Sequence, residues 1–274
     1  MLDLTGLFIY PIKSLGGIAL SSSIVTERGL QYDRRWMLVD EHNQFMTQRQ
    51  IHKLSLFRLL LSLEGLEVTY KPNGSKFTIP FHPQTTGDIV VKIWNDTCLG
   101  RLVSAGADSW FSEMLSFPCR LVFMPEETRR AVELPYASGN EITSFSDAYP
   151  FLLIGQSSLD DLNKKLIEPL PMNRFRPNIV FSGGEAFEED ELEDFVINDI
   201  HFYAVKPCDR CMITTINQEN GVGGKEPLRT LATYRKKENN IYFGQNLLHH
   251  GEGTISIGNR LEVKKRKEPI SFCP

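Results

Sequence analysis

Residues 206–216 read Lys206-Pro207-Cys208-Asp209-Arg210-Cys211-Met212-Ile213-Thr214-Thr215-Ile216, a cysteine pair leading straight into a β-branched run. A C-x-x-C pair serves several chemistries. In a dithiol oxidoreductase it opens a helix, whose N-terminus helps hold the first thiolate. Here Met212 to Ile216 predicts a strand, which points away from a thioredoxin-like fold and toward a β architecture. A structural zinc site needs two more ligands, and downstream only His249, His250 and Cys273 are candidates. A third reading is one thiolate ligating a metal cofactor. Residues three apart on an extended chain face opposite ways, so one sulfur would face a shared site and the other would pack inward. Lys206 and Arg210 favour the charged form of a neighbouring thiol. Two buried structural cysteines fit the spacing equally, since free cysteine is among the most buried residue types. Spacing alone leaves these readings open.

The flanking sequence agrees with a β-rich chain. Leu7 to Tyr10, Ile18 to Val25, Trp36 to Val39, Phe45 to Thr47 and Ile89 to Trp94 are short β-branched or aromatic runs between turn-prone stretches such as Pro72-Asn73-Gly74. Leu54 to Leu63 fits strand or helix. A helix is predicted over Asp108 to Leu115, and another from Ser158 as N-cap through Leu166, with Asp161 three residues on. Phe151 to Ile154, Asn178 to Phe181, Ile200 to Val205, Ile241 to Phe243 and Thr254 to Val263 read as further strands, and Pro227 starts a short helix. The polar, proline-punctuated stretch from Met124 to Phe145 is the best linker. The fold class is mainly β with some α (α+β): an N-terminal β-barrel domain over 1–123, then a barrel-like domain with flanking helices over 124–274.

Composition bounds the function. The chain has 274 residues, 41% hydrophobic and 23% charged, which excludes disorder and disulfide miniproteins. A formal charge of −4 argues against dedicated nucleic-acid binding. Seven of the acids lie in Glu185 to Asp194, read as a mobile exposed loop, so the rest of the chain carries +3, a balance compatible with a small anion. Five cysteines are an odd count suited to a reducing compartment. With no signal peptide and no apolar run of membrane-spanning length, the protein is expected to be cytoplasmic, with no membrane partner.

Six collinear pieces carry a resemblance that covers nearly the whole chain. They are YPIKSLGG (10–17), GLQYDRRWMLVD (29–40), FMTQRQ (45–50), FSDAYPFLLIGQSSLDDLN (145–163), RFRPNIV (174–180) and KPCDRCMITTINQENG with EPLRTLATYR (206–235). Together they resemble the molybdenum-cofactor-sulfurase C-terminal (MOSC) domain preceded by the β-barrel domain of amidoxime-reducing proteins. The resemblance implies a molybdenum cofactor (Mo-molybdopterin) bound between the two domains, with Cys211 as metal ligand and catalytic residue and Cys208 as its packed partner. A soft thiolate suits such a metal. It further implies Lys13, Ser14 and Arg34 on the phosphate, Arg176 and Asn178 on the pterin, and Ser146, Asp147 and Thr214 near the cofactor. Each residue has a plain structural reading as well: a solvated Lys13, an Arg34 paired with Asp33, an Arg176 holding a turn carbonyl, a Thr214 placed by strand propensity.

The activity implied is reduction of small N-hydroxylated substrates such as amidoximes and hydroxylamines, with electrons from a separate electron-transfer protein. The chain has no cysteine array for an iron–sulfur cluster, and neither the ferredoxin-like extension of some bacterial relatives nor the membrane anchor of the mitochondrial ones is expected. The rival reading is a carrier of the cofactor, or of persulfide sulfur on Cys211. Pyridoxal phosphate is not expected, because in the wider sulfurase family it belongs to a separate aminotransferase-like domain. His249-His250 reads as a solvated turn, and Gly221-Val222-Gly223-Gly224-Lys225 lacks the phosphate-loop form.

Overall fold

The computed structural model describes every residue except 84–86, 133–134, 138–139 and 273–274. Cys273, a candidate zinc ligand above, therefore lies outside the described residues. Seven strands close into a barrel in the order Phe151–Gly155, Ile179–Ser182, Leu2–Ile9, Arg260–Arg266, Leu192–Ile197, Ile200–Asp209 and Asn240–His250, the last pairing back to the first. One pairing is parallel, between Phe151–Gly155 and Ile179–Ser182, and the other six are antiparallel. The N-terminal strand thus sits in the same sheet as six strands from the second half.

Alternation explains the run Phe151-Leu152-Leu153-Ile154. Phe151 and Leu153 join the barrel interior with Phe195, Phe202 and Leu247, where Phe151 meets Phe202 edge-on at 5.3 Å. Leu152 and Ile154 belong to a second cluster, with Leu159 and Leu162 of helix Gln156–Asn163. Both faces are covered, so the strand reads as continuously apolar. Each fully buried Phe here contributes roughly 2–3 kcal/mol of apolar burial.

The N-terminal half adds a four-stranded antiparallel sheet (Trp36–Val39, Arg120–Phe123, Asp96–Leu102, Asp88–Ile93) and a three-stranded meander (Phe57–Leu61, Leu66–Tyr70, Ser75–Ile79). Helix Ala105–Leu115 packs Trp110 and Phe111 against Phe57. Ser104 caps it by accepting from the Ala107 N–H at 3.1 Å. One continuous apolar cluster runs from Phe111 and Leu121 through Leu4 and Leu7 to Phe202.

Several sequence expectations need correction. Met212–Thr215 is a 3₁₀ turn, not a strand. The Thr214 and Thr215 hydroxyls donate back to the Cys211 and Met212 carbonyls at 3.0 and 2.7 Å, and this local bonding overrides β propensity. Ser158 lies inside helix Gln156–Asn163, whose N-cap is Gly155; its hydroxyl donates to Glu189 and accepts from the Phe187 N–H. The acidic run is no mobile loop. Leu192–Ile197 is a barrel strand, and Glu189 and Asp190 are buried, Asp190 paired with Arg235 at 2.5 Å. The stretch 254–263 is two strands in different sheets, turned by Gly258 at φ 91°. His249 is the penultimate residue of strand Asn240–His250 and is half-buried, its ring on the Thr26 carbonyl at 2.9 Å.

Candidate functional site

Strand Ile200–Asp209 runs past the barrel body and carries the first cysteine at its end. Its pairing with Asn240–His250 shifts register between Ala204 and Lys206 and again between Pro207 and Asp209. Such bulges re-aim side chains and break strict alternation. Both sulfur-bearing residues consequently line one cleft of about 220 Å³. Cys208 also packs on the Phe175–Phe243 cluster. Its thiol pKa is raised by burial, which outweighs the Arg210 guanidinium donating to its sulfur at 2.9 Å. That outcome reverses the expectation that the flanking cations lower it.

All nine sequence candidates line this cleft: Lys13, Ser14, Arg34, Ser146, Asp147, Arg176, Asn178, Cys211 and Thr214. Backbone bonds fix the loops that present them. The Lys13 N–H donates to Trp36 O at 2.8 Å, the Arg34 N–H to Tyr10 O at 3.0 Å, and the Phe145 N–H to Arg34 O at 2.9 Å. Four lining residues, Ser14, Arg34, Trp94 and Arg176, take positive φ of 68, 50, 53 and 56°. Left-handed backbone at non-glycine residues costs of order 1 kcal/mol or more and clusters at functional sites.

Lys13 is 7% exposed at its side chain, with Nζ 2.5 Å from Asp147 Oδ1. Burial lowers its pKa to about 8 despite the opposing pull of Asp147. Partial desolvation of Asp147 is outweighed by the charge and hydrogen bond of Lys13, helped by Trp94 and Arg49, which hold its carboxyl well below the carboxylate range. Arg34 Nη1 reaches Asp33 at 2.5 Å and Asn178 Oδ1 at 3.0 Å. Arg176 donates to Leu15 O at 2.6 Å, and burial lowers its pKa to about 10. Asn178 accepts from Arg34 and the Leu152 N–H and donates to Phe8 O at 3.2 Å, leaving one amide hydrogen for the cleft. The Thr214 hydroxyl is engaged on Cys211 O, and the Ser146 hydroxyl on Thr143.

Six cations (Lys13, Arg34, Arg49, Arg176, Lys206, Arg210) face two carboxylates (Asp147, Asp209), an excess of four positive charges. The Nε atoms of Arg49 and Arg210 are buried and make no hydrogen bond among the described residues. Unsatisfied buried donors are costly. A soft thiol beside a cationic, donor-rich wall fits a sulfur-ligated metal carrying a phosphate tail. Among the described residues no three His, Cys, Asp or Glu side chains converge on a metal position. A larger cavity of about 970 Å³ lies at His249, Tyr203 and Glu27, where among the described residues Lys267 is the one Lys or Arg beside several carboxylates; volume alone picks the wrong place for an anion.

Sequence reasoning missed the residues that position this wall. Tyr10 lies under both guanidiniums, 4.7 Å from Arg34 and 4.2 Å from Arg176, and its hydroxyl donates to Pro177 O. Arg130 donates to the Ser144, Ser146 and Asp147 carbonyls and so clamps the loop bearing Asp147. Trp94 holds Asp147 through an indole N–H at 3.2 Å. It begins the Trp94-Asn95 turn between two strands, where positive φ favours glycine. That Ile-Trp-Asn-Asp turn was the one available signal.

A closed, mainly β barrel with a cysteine-bearing cationic cleft is therefore the class of protein defined. Residues 1–118 match the MOSC N-terminal beta barrel domain and residues 140–262 the MOSC domain. The chain is 33% identical over 273 residues to mitochondrial amidoxime-reducing component 1 of Mus musculus, covering 92% of this chain and 79% of that protein. It is 32% identical to mitochondrial amidoxime reducing component 2 of Homo sapiens, covering 84% of this chain and 71% of that one. It is 29% identical to the molybdenum cofactor sulfurase of Oryza sativa subsp. japonica, covering 98% of this chain but only 35% of that protein. The chain belongs to the MOSC-domain family, in the branch with the N-terminal barrel domain.

Proposed function

We propose that this protein is a molybdenum-cofactor-dependent oxidoreductase that reduces N-hydroxylated compounds such as amidoximes and hydroxylamines. The carrying observation is the convergence of Cys211 with Lys13, Arg34 and Arg176 on one cleft of excess positive charge. The names of the amidoxime-reducing relatives support the reaction class. Overall, an N–OH group takes up two electrons and two protons and leaves N–H and water. The bound cofactor would supply the oxygen-accepting, two-electron centre, as cofactors of this kind carry the hard chemistry.

The chain's own residues do the placing. Cys211 offers the thiolate ligand, its carbonyl fixed by the Thr214 hydroxyl and N–H. Lys13, Ser14, Arg34 and Arg176 take the anionic end, with Tyr10, Asp33 and Asn178 holding the two forks in position. Ser146 and Asp147 hold the loop edge and the Lys13 ammonium. Electrons come from a separate electron-transfer protein. Free cysteines at 98, 119, 208 and 211 favour a reducing compartment, and we place the protein in the cytoplasm. Among the described residues no helix is long and apolar enough to cross a membrane. The division at residue 123 into an N-terminal and a MOSC domain is retained as part of this proposal.

The test is metal analysis of protein made in a molybdenum-replete host, with benzamidoxime turnover driven by an artificial reductant. Near-stoichiometric molybdenum that Cys211→Ala abolishes, with steady turnover, is the expected result; wild-type protein without molybdenum refutes the proposal. A second reading, a carrier of cofactor or persulfide sulfur, is favoured by the sulfurase match along nearly the whole chain. Molybdenum bound without turnover of any N-hydroxylated compound would select it.

A further inference from the structure

Beside the cationic cleft lies a second chamber of about 210 Å³. The two share Trp94, Asp147 and Ala148, so the Asp147 carboxylate and the Trp94 indole form their common wall. Their charge balances differ. The cleft has four positive charges in excess, whereas the charged residues of the second chamber are Asp96, Asp147 and Arg130. Arg130 is already spent on the Asp96 carboxylate and three loop carbonyls.

The shared wall is held in place from the cleft side. Asp147 Oδ1 accepts from Lys13 at 2.5 Å and from Trp94 Nε1 at 3.2 Å, while Oδ2 takes no hydrogen bond among the described residues. The side chain is 57% exposed, so this oxygen remains open to a donor from solvent or ligand. Trp94 has the Arg49 guanidinium on its ring at 4.4 Å and Phe45 edge-on at 4.7 Å, yet is still 37% exposed. Positive φ at this tryptophan is backbone strain at a position where glycine is the unstrained choice.

We infer that this chamber is the substrate pocket, taking the N–H-bearing head of a neutral or cationic aromatic N-hydroxylated base on Asp147 Oδ2 and stacking its ring on Trp94. The inference rests on the reductase reading above and assigns its substrate side. A donor-rich cleft next to a chamber that offers a carboxylate acceptor sorts the two ligands by hydrogen-bonding role. Amidoximes, amidines and arylhydroxylamines carry N–H donors that match a carboxylate acceptor. A carboxylate-bearing aromatic of the same size meets an acceptor in Asp147 Oδ2, and Arg130 is already committed.

The experiment uses benzamidine, a non-reducible amidine, with benzoate as its isosteric anion. Binding is measured by calorimetry and by quenching of tryptophan fluorescence on the protein as purified. Benzamidine is expected to bind and benzoate not. Trp94→Ala should weaken benzamidine about fivefold, the value of one aromatic stacking contact, and Trp94→Phe should recover most of it. Ala131→Trp, which fills the chamber from a residue outside the cofactor cleft, should block benzamidine with molybdenum content unchanged. In turnover both Trp94→Ala and Ala131→Trp should raise KM for benzamidoxime severalfold, and Ala131→Trp, which lies outside the cofactor cleft, should do so with molybdenum content unchanged.

Equal benzamidine affinity in wild type, Trp94→Ala and Ala131→Trp overturns the inference, as does benzoate binding as well as benzamidine. Wild-type reduction of benzamidoxime with KM unmoved in both variants overturns it while leaving the reductase reading intact. Benzamidine binding lost as described, without reduction of any N-hydroxylated compound, overturns the reductase reading and leaves an amidine-binding pocket.

Discussion

The buried Lys13 ammonium sets a pH limit on anion binding that can be worked out from its surroundings. Burial lowers its pKa to about 8, with Asp147 at 2.5 Å opposing the fall. If the cleft needs this charge, affinity follows the charged fraction, about 90% at pH 7 and about 10% at pH 9 for a pKa near 8. Sulfate is the suitable probe, since its own charge is constant over this range. Cofactor-free protein titrated with sulfate by calorimetry at constant ionic strength should lose about tenfold in affinity between pH 7 and 9. Arg176 keeps its charge across this window, so the loss reports on Lys13. Lys13→Met should flatten the curve across this window at the weak, high-pH level. Asp147→Asn removes the influence that holds Lys13 up, so its fall should begin at lower pH. A flat wild-type curve, or the same slope in Lys13→Met, would refute the assignment of Lys13 to the anion.

Three further changes follow from the same geometry. Tyr10→Leu removes the ring beneath Arg34 and Arg176 and should cost about 2–4 kcal/mol in urea unfolding, while Tyr10→Phe, which loses only the bond to Pro177 O, should cost about 1 kcal/mol. Glu189 is fully buried, and burial raises its pKa from 4.5 to about 7, with Asp190 adding to the rise. The folded state then binds more protons than the unfolded one between these values, so stability falls as pH rises through that window, by up to about 3 kcal/mol. Glu189→Gln should flatten this dependence and raise the melting temperature at pH 8 more than at pH 5. Ser14→Gly should relieve the strain at φ 68°, stabilising the fold by up to about 1 kcal/mol, and at the same time weaken sulfate by loss of the hydroxyl; unchanged sulfate affinity would remove Ser14 from the anion's contacts.

Much of the barrel is legible because its strands are short apolar runs bounded by turns, as in Phe151 to Ile154 and Ile200 to Val205. What escaped is what local pattern cannot carry. Glu189 and Asp190 read as solvated because charge normally is; Arg235, Gln245 and Ser158 make them buriable, and all three are distant in sequence. Thr214 and Thr215 carry β propensity, yet their hydroxyls stabilise a turn instead. The cleft candidates came from motif order, not from chemistry visible at any single position. Tyr10, Arg130 and Trp94 were passed over because a residue that positions another has no sequence signature of its own.

Strain and electrostatics in the cleft point the same way. Four of the ten left-handed non-glycine residues among those described line this cleft, each at a strain that glycine would remove. Three of them, Ser14, Arg34 and Arg176, bear the polar groups proposed for the anion, and the fourth, Trp94, holds Asp147. Tyr10 cannot relieve the crowding of Arg34 against Arg176, because its hydroxyl is donated to Pro177 O and burial pushes its pKa up to about 12, keeping the phenol neutral. Asp33 neutralises one guanidinium, and among the described residues no carboxylate lies within ion-pair distance of the other. The wall is thus left under-neutralised by design of its neighbours. An anion entering it removes repulsion that the folded chain carries in its absence, so binding should raise the stability of the whole barrel and not only of the loops it touches.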